Sequence, residues 1–239
     1  MTKISARLND RSVFFMHYNS YGKQLTDEDI KLGEHRKFVG SYWELLGKLQ
    51  FDYLLKQGLK PHHKLLDLGC GALRGGIHFI RYLEDGHYTG IDANASLIRA
   101  GKTELKKVNL DRKSSNFIID ENFEYKKWGG NFDYIISISL FTHLPISKIK
   151  KCLHAVSNTI SPEGKYFTSF FRLECDEFDK KSCHNDHGIK THDDNDPYHQ
   201  KISVLRKISV PMDLEINYKG NWKHPRGQEM ISFKKSQGA

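Results

Sequence analysis

The sequence predicts an α/β fold: a doubly wound, mainly parallel seven-stranded sheet with helices on both faces and an N-terminal helical cap. Three observations point there. From residue 64 onward, short apolar runs alternate with stretches of helical length and pattern, the rhythm of βαβ units. The runs are almost continuously apolar, as parallel strands covered on both faces must be. The first run ends in a glycine-rich turn, Gly69-Cys70-Gly71-Ala72-Leu73-Arg74-Gly75-Gly76, that opens a helix. The chain has 239 residues, enough for one decorated domain whose core needs neither disulfides nor metal. The reading divides it into a cap at 1–60 and a sheet domain at 61–239, with a polar insertion at 174–200.

Residues 1–60 read as mostly helical. Thr26-Asp27-Glu28-Asp29 offers an N-cap followed by acidic first-turn residues. Trp43, Leu46, Gln50, Tyr53 and Leu54 fall at helical spacing, and Gly58 with Pro61 ends that helix. Strands are predicted at 64–68, 88–92, 116–120, 133–139 and 165–171, with helices at 76–83, 95–107 and 147–160 between them. From 174 to 200 aliphatic residues become scarce and Asp, His, Lys and Asn take over, which reads as an excursion over the ligand-binding edge of the sheet. A short helix at 203–209 and two final strands at 213–218 and 229–234, an antiparallel closing pair, complete the fold.

Lys and Arg number 37 against 29 Asp and Glu, a formal charge of +8. The surplus is spread along the chain rather than gathered in a tail, and suits a solvated surface or an anionic substrate. No apolar stretch approaches the roughly 20 residues of a membrane helix, and the first residues form no apolar signal core. Cys70, Cys152, Cys175 and Cys183 follow neither zinc-ribbon nor disulfide spacing, so a reducing cytoplasm is the expected compartment.

The segment 65–92 is the most informative. A glycine turn between strand and helix lets a ligand approach the backbone beside the unpaired N–H groups of the helix start. The second strand ends in Asp92, about twenty residues on, where a carboxylate can hold both hydroxyls of a ribose. Dinucleotide enzymes share this layout, but the third glycine of their G-x-G-x-x-G pattern is Arg74 here. Asp67, just before the glycines, would sit badly beside a pyrophosphate. It suits a cationic ligand, such as the sulfonium and amino groups of S-adenosylmethionine.

Leu66-Asp67-Leu68-Gly69-Cys70-Gly71 resembles the first motif of the class I, Rossmann-like, S-adenosylmethionine-dependent methyltransferases. Thr89-Gly90-Ile91-Asp92 resembles the second motif, and Phe132-Asp133-Tyr134-Ile135-Ile136-Ser137-Ile138-Ser139 the fourth. Ser161-Pro162-Glu163-Gly164 resembles the turn before the fifth strand. Together they cover about residues 60–172. Gly71-Ala72-Leu73-Arg74-Gly75-Gly76, Leu140-Phe141-Thr142-His143-Leu144-Pro145 and Trp222-Lys223-His224-Pro225-Arg226-Gly227-Gln228 look like a bacterial subgroup, some of whose enzymes modify sugars of surface polysaccharides. The resemblance implies S-adenosylmethionine as cofactor. Gly69 and Gly71 would shape the loop under its methionine part, with Asp67 beside them. Asp92 would hold the ribose, Asp120 or its backbone would face the adenine, and Ser137 stands in the fourth motif. Arg74 is either a partner of the methionine carboxylate or a surface ion pair. Trp43 and Arg36 are candidates to close over the cofactor from the cap.

Methyl transfer asks the protein for alignment and a dry site, because the cofactor carries the activation. A hydroxyl acceptor also needs a base within hydrogen-bond reach. Ligands of open parallel sheets bind beyond the carboxyl ends of the strands. His143, just after the fourth strand, is therefore the first candidate base, against the alternative of a helix-start histidine bonded to backbone. His224 is the second. His187, Tyr198, His199 and Arg226 are candidate substrate contacts, Arg226 for a phosphate. The His and Asp residues of the insertion raise the question of a metal, but they match no H-E-x-x-H or EF-hand spacing, so a solvated loop without metal is expected. The expected reaction is O-methylation of an anionic small molecule, such as a nucleotide-activated or surface-polysaccharide sugar. An RNA- or protein-directed methyltransferase and a non-catalytic cofactor-binding scaffold are the alternatives. No appended RNA-binding module is visible, so a nucleic-acid partner is not expected.

Overall fold

A computed structural model describes residues 22–173 and 181–236. Residues 1–21 of the predicted cap, and Cys175 with the rest of 174–180, lie outside the described residues. In chain order the elements are helices α1 (Asp27–Lys31), α2 (Glu34–Phe38) and α3 (Trp43–Lys56), strand β1 (Leu65–Leu68), α4 (Gly76–Tyr82), β2 (Tyr88–Asp92), α5 (Ala95–Lys107), β3 (Asn116–Ile119), β4 (Phe132–Ser137), α6 (Ile146–Thr159) and β5 (Ile160–Arg172). Short strands β6 (Ser182–His184), β7 (Lys190–His192) and β8 (His199–Gln200) follow, then α7 (Ile202–Ser209), β9 (Leu214–Asn221) and β10 (Glu229–Lys235). Among the described residues, seven strands lie side by side in the order β3-β2-β1-β4-β5-β10-β9, and β8 adds a two-residue pairing to the end of β5. β1 to β5 run parallel, while β10 is antiparallel to both its neighbours. This is the expected doubly wound, mainly parallel sheet with an antiparallel closing pair. The strand order reverses at β1 and β4, which opens a crevice beyond their carboxyl ends.

Period-two alternation sorts the strand side chains onto two faces. Leu66 and Leu68 of β1, with Ile135 and Phe170, pack against Ile149, Leu153 and Val156 of α6 and Leu205 of α7. Leu65, with Tyr134, Ile136 and Phe167, packs against Leu54 of α3, Phe79 and Ile80 of α4 and Ile98 of α5. Each fully buried side chain of this size contributes about 1.5–3 kcal/mol, so the two layers hold the sheet edge in place. Helix starts follow their sequence signals. Thr26 and Asp29 form a reciprocal capping box on α1, and the Asn94 side chain accepts from the Ser96 and Leu97 N–H groups at the start of α5.

Two elements differ from expectation. β5 begins at Ile160, directly after α6, because Ile160 already pairs with Phe132 and the residues 161–164 are absorbed as an irregularity in the β4–β5 register. The polar insertion is not wholly irregular: β6 and β7 form an antiparallel ladder, and β8 joins the sheet.

The N-terminal helices are fastened to α5 and to the β1–α4 turn. Glu104, 1 % exposed, accepts from His35 Nε2 at 2.9 Å, from Arg36 Nη2 at 2.6 Å and from Lys107 Nζ at 2.9 Å. Between α2 and α3 the backbone takes three successive positive φ values, at Gly40, Ser41 and Tyr42. Two arginines grip this linker. Arg74 Nη1 donates to the Val39 and Ser41 carbonyls at 3.0 and 2.9 Å, and Arg226 Nη2 donates to the Gly40 carbonyl at 2.6 Å. In α3, a Cβ on Gly47 would come within 2.5 Å of the Arg74 carbonyl oxygen, so glycine is what lets α3 lie against the turn.

Burial raises the Glu104 carboxyl, but hydrogen bonds from Arg36, Lys107 and His35 outweigh it and bring the pKa from 4.5 down to about 2. The stability this group contributes is complete above about pH 4.5 and is lost as pH falls through about 2. Glu104→Ala should cost about 2–3 kcal/mol in chemical denaturation, less than a fully enclosed ion pair because Arg36 and Lys107 keep contact with water. Between about pH 5 and about pH 3 the wild type should lose stability faster than the variant.

Candidate active site

The carboxyl ends of β1 to β4 surround a cavity of about 290 Å³, near the lower end of the roughly 300–1,000 Å³ usual for small-molecule sites. Strand β1 contributes Asp67 to its lining, and the β1–α4 turn adds Gly69, Gly71 and Arg74. The end of β2 adds Asp92, the end of β3 adds Asp120, and the segment after β4 adds Ser139, Leu140 and His143. Gly69 and Gly71 take positive φ values of 72° and 53°, a conformation that L side chains rarely adopt. A Cβ on Gly71 would press on Val39 of the cap linker at 3.3 Å. Val39, and Gln50, which the sequence marked only by its helical spacing, line the cavity from the N-terminal helices.

Asp92 Oδ2 accepts from the Gly71 N–H and Oδ1 from the Asn94 N–H, both at 2.8 Å. One carboxylate thus ties the glycine turn to the cap of α5. Asp67 is 4 % exposed and accepts from the Tyr88 hydroxyl at 2.8 Å. Burial pushes its carboxyl up to about 7; the Tyr88 hydrogen bond and the Arg74 charge oppose that rise, and the Asp92 charge adds to it. A buried acid poised near neutrality beside a cavity is completed by a cationic ligand, and the sulfonium and ammonium of S-adenosylmethionine fit it. Tyr88 was legible only as a strand residue; its hydroxyl contact spans two strands and leaves no mark in local sequence.

Asp120 reaches the cavity, but its carboxylate holds its own loop, accepting from the Asn122 and Glu124 N–H groups and from Trp128 Nε1. Ser137 is not among the lining residues. Its buried hydroxyl bonds to Thr168 Oγ1 and Tyr166 Oη, both at 2.7 Å, and ties β4 to β5. Arg74 spends Nη1 on the cap linker, as described above. Arg36 lies over the Trp43 ring at 4.8 Å, and neither residue lines the cavity.

His143 does line it. Its Nδ1 lies 2.7 Å from Asp196 Oδ1, a residue of the polar insertion that the sequence placed only in a possible metal cluster. The insertion docks beside it through the Tyr198 N–H, which donates to the Thr142 carbonyl at 2.7 Å. Tyr198 and His199 are themselves buried away from the cavity lining; His199 Nδ1 bonds Thr191 Oγ1 at 3.0 Å. His187 packs against Gly227, and Asn185 Nδ2 donates to the Arg226 carbonyl at 2.8 Å. The insertion therefore spans from His143 to the 222–228 turn. His224 is 2 % exposed and its Nδ1 accepts from the Arg226 N–H at 3.2 Å, so the neutral ring carries its proton on Nε2. That geometry makes His224 a donor, which argues against the second candidate base. Among the described residues no group of three His, Cys, Asp or Glu side chains is arranged to hold a metal, and no helix is long and apolar enough to cross a membrane.

Residues 66–166 match the methyltransferase-domain family. An uncharacterized protein of Methanocaldococcus jannaschii is 27 % identical over 129 residues, 54 % of this chain and 33 % of that protein, so the match spans about a third of the curated relative. Among solved structures, the magnesium protoporphyrin IX methyltransferase of Synechocystis PCC 6803, with bound S-adenosylmethionine, has a TM-score of 0.58 at 14 % identity, over 91 % of this chain and 88 % of that one. An S-adenosylmethionine-dependent methyltransferase of Clostridium acetobutylicum has a TM-score of 0.63 at 11 % identity, over 89 % of this chain and all of that one. At such identities the likeness is one of fold, and the fold is the Rossmann-like methyltransferase fold.

The proton on Asp67 gives a direct test of this geometry. Between its unfolded value of 3.8 and about 7 the folded state binds the extra proton, so this group makes stability fall as pH rises across that window. Tyr88→Phe removes a bond that favours the charged form. Carbon-detected NMR of the Asp67 carboxyl should find its titration moved upward, and an unmoved titration would mean that Tyr88 does not reach it.

Proposed function

We propose that the chain is an S-adenosylmethionine-dependent methyltransferase that methylates a hydroxyl of an anionic small molecule, such as a nucleotide-activated or surface-polysaccharide sugar. The observation that carries the reading is that one cavity joins the glycine turn, Asp67 and Asp92 to His143 with Asp196 on its Nδ1. When bound there, the cofactor supplies an electrophilic methyl group, whose bond to sulfur breaks as the acceptor oxygen bonds to carbon. Asp92 offers a carboxylate to the ribose hydroxyls, and Asp67 balances positive charge at the methionine end. Asp196 accepts from the His143 Nδ1–H, which fixes the ring in the tautomer whose Nε2 can take the hydroxyl proton. The cap linker, through Val39, narrows the cavity and limits water around the cofactor. Cys70, Cys152 and Cys183 are free thiols, which suits the reducing cytoplasm expected from the sequence.

Calorimetry with S-adenosylmethionine tests the reading directly; a protein that does not bind it removes the proposal. Asp92→Ala should weaken that binding by roughly 1–3 kcal/mol. Affinity should fall as pH drops below about 7, by up to about tenfold per unit, because Asp67 must lose its proton to meet the cation. With an acceptor found from a panel of sugar nucleotides, His143→Ala should lower kcat by about a hundredfold or more and Asp196→Asn by roughly tenfold, both leaving cofactor affinity unchanged. Full turnover in both variants would place the base elsewhere.

A further inference from the structure

The 222–228 turn joins β9 to β10. Because β9 runs parallel to β5, its carboxyl end lies at the same edge of the sheet as the glycine turn and His143. This turn holds two buried hydrogen-bond donors that nothing among the described residues satisfies. His224 carries its proton on Nε2, as its Nδ1 accepts from Arg226, and that Nε2 has no partner. Trp222, 5 % exposed, has none for its indole Nε1. The two rings stand together, centroids 5.4 Å apart and tilted by 33°. A buried donor without an acceptor costs about 1–3 kcal/mol, and native interiors keep few of them. Phenylalanine would fill either place without that cost.

Positive charge gathers on the same spot. Burial, then the charges of Arg74, Arg226 and His187, lower the His224 pKa to about 3, so the ring stays a neutral donor. A cation is repelled there, whereas an oxyanion meets two N–H donors in a favourable field. Arg74 also lines the cofactor cavity, so the two places meet at that side chain.

We propose that the Trp222 indole and the His224 imidazole, beside Arg74 and Arg226, form an oxyanion site that holds a carboxylate or phosphate group of the methyl acceptor. The site anchors the acceptor at one end while His143 meets its hydroxyl at the other. This assignment rests on the methyltransferase reading of the neighbouring cavity. The same chemistry would also accept the carboxylate of the cofactor's methionine, and the test separates the two.

The protein has three tryptophans, and their indole N–H resonances can be followed by nitrogen–proton NMR, with Trp222→Phe assigning the relevant one. Inorganic phosphate is titrated into the free protein and into protein saturated with S-adenosylhomocysteine. The Trp222 resonance should move saturably in both titrations while the Trp43 and Trp128 resonances stay put, and His224→Phe should weaken the phosphate response roughly tenfold or more. A Trp222 resonance that never moves overturns the site, and so does an equal drift of all three, which reports bulk salt. If S-adenosylhomocysteine alone moves it and phosphate then has no effect, the site belongs to the cofactor and its assignment to the acceptor falls. If phosphate moves it but calorimetry finds no cofactor binding, the oxyanion site stands and the methyltransferase reading fails. Apart from the Trp222→Phe assignment, these outcomes are read on wild-type protein, so a misfolded His224 variant does not blur them.

Discussion

Asp92 accepts from the Gly71 N–H with one oxygen and from the Asn94 N–H with the other, and most of the site hangs from that bridge. It fixes the left-handed glycine turn after β1 against the end of β2. It also sets Asn94, whose own side chain caps α5. From α5 the ordering passes to the N-terminal helices, because Ser96 Oγ accepts from the Leu25 N–H and Glu104 gathers His35, Arg36 and Lys107. A carboxylate at the switch point of a parallel sheet thus organises both a ligand loop and the elements that cover it. It can do so because it sits at a strand end, where backbone donors are not spent on the sheet ladder.

The architecture was largely legible in the sequence, and the reason is periodicity. Parallel strands buried on both faces leave unbroken apolar runs, and a glycine turn followed by an acidic strand end twenty residues on places two ligand-facing features at one edge. What periodicity does not carry is contact between distant segments. Tyr88 and Asp67 stand two register places apart across β1 and β2, Tyr88 pairing with Leu65 and Asp67 with Gly90, yet nothing local marks the hydroxyl as a partner for the carboxyl. Asp196 reaches His143 across 53 positions of sequence. Ser137, in a motif that suggested the ligand, turns inward instead, because alternation along β4 gives its hydroxyl to Tyr166 and Thr168.

The side of the cavity proposed for the acceptor is assembled from the least regular parts of the chain. The polar insertion pairs with β5 through β8, touches Thr142 through Tyr198 and rests on the Arg226 turn through Asn185. Gln228 continues that turn inward, taking hydrogen bonds from the hydroxyls of Ser139 and Ser169, so the end of β4 and the turn before β10 are coupled by one amide. Segments far apart in sequence meet here with little aliphatic packing, and their geometry is set by directional polar contacts. Such contacts tolerate less displacement than apolar packing does.

The linker at 40–42 holds two non-glycine residues in the left-handed region, a conformation that costs about 1–3 kcal/mol per residue and persists only where its surroundings impose it. Here the imposition comes from two guanidinium groups, Arg74 on the Val39 and Ser41 carbonyls and Arg226 on the Gly40 carbonyl between them. Detaching α1 and α2 would relieve that strain while leaving the sheet folded, against the loss of the His35 and Arg36 contacts with Glu104. In amide hydrogen exchange this would give the first helices an opening free energy of their own, well below that of β1 and β4.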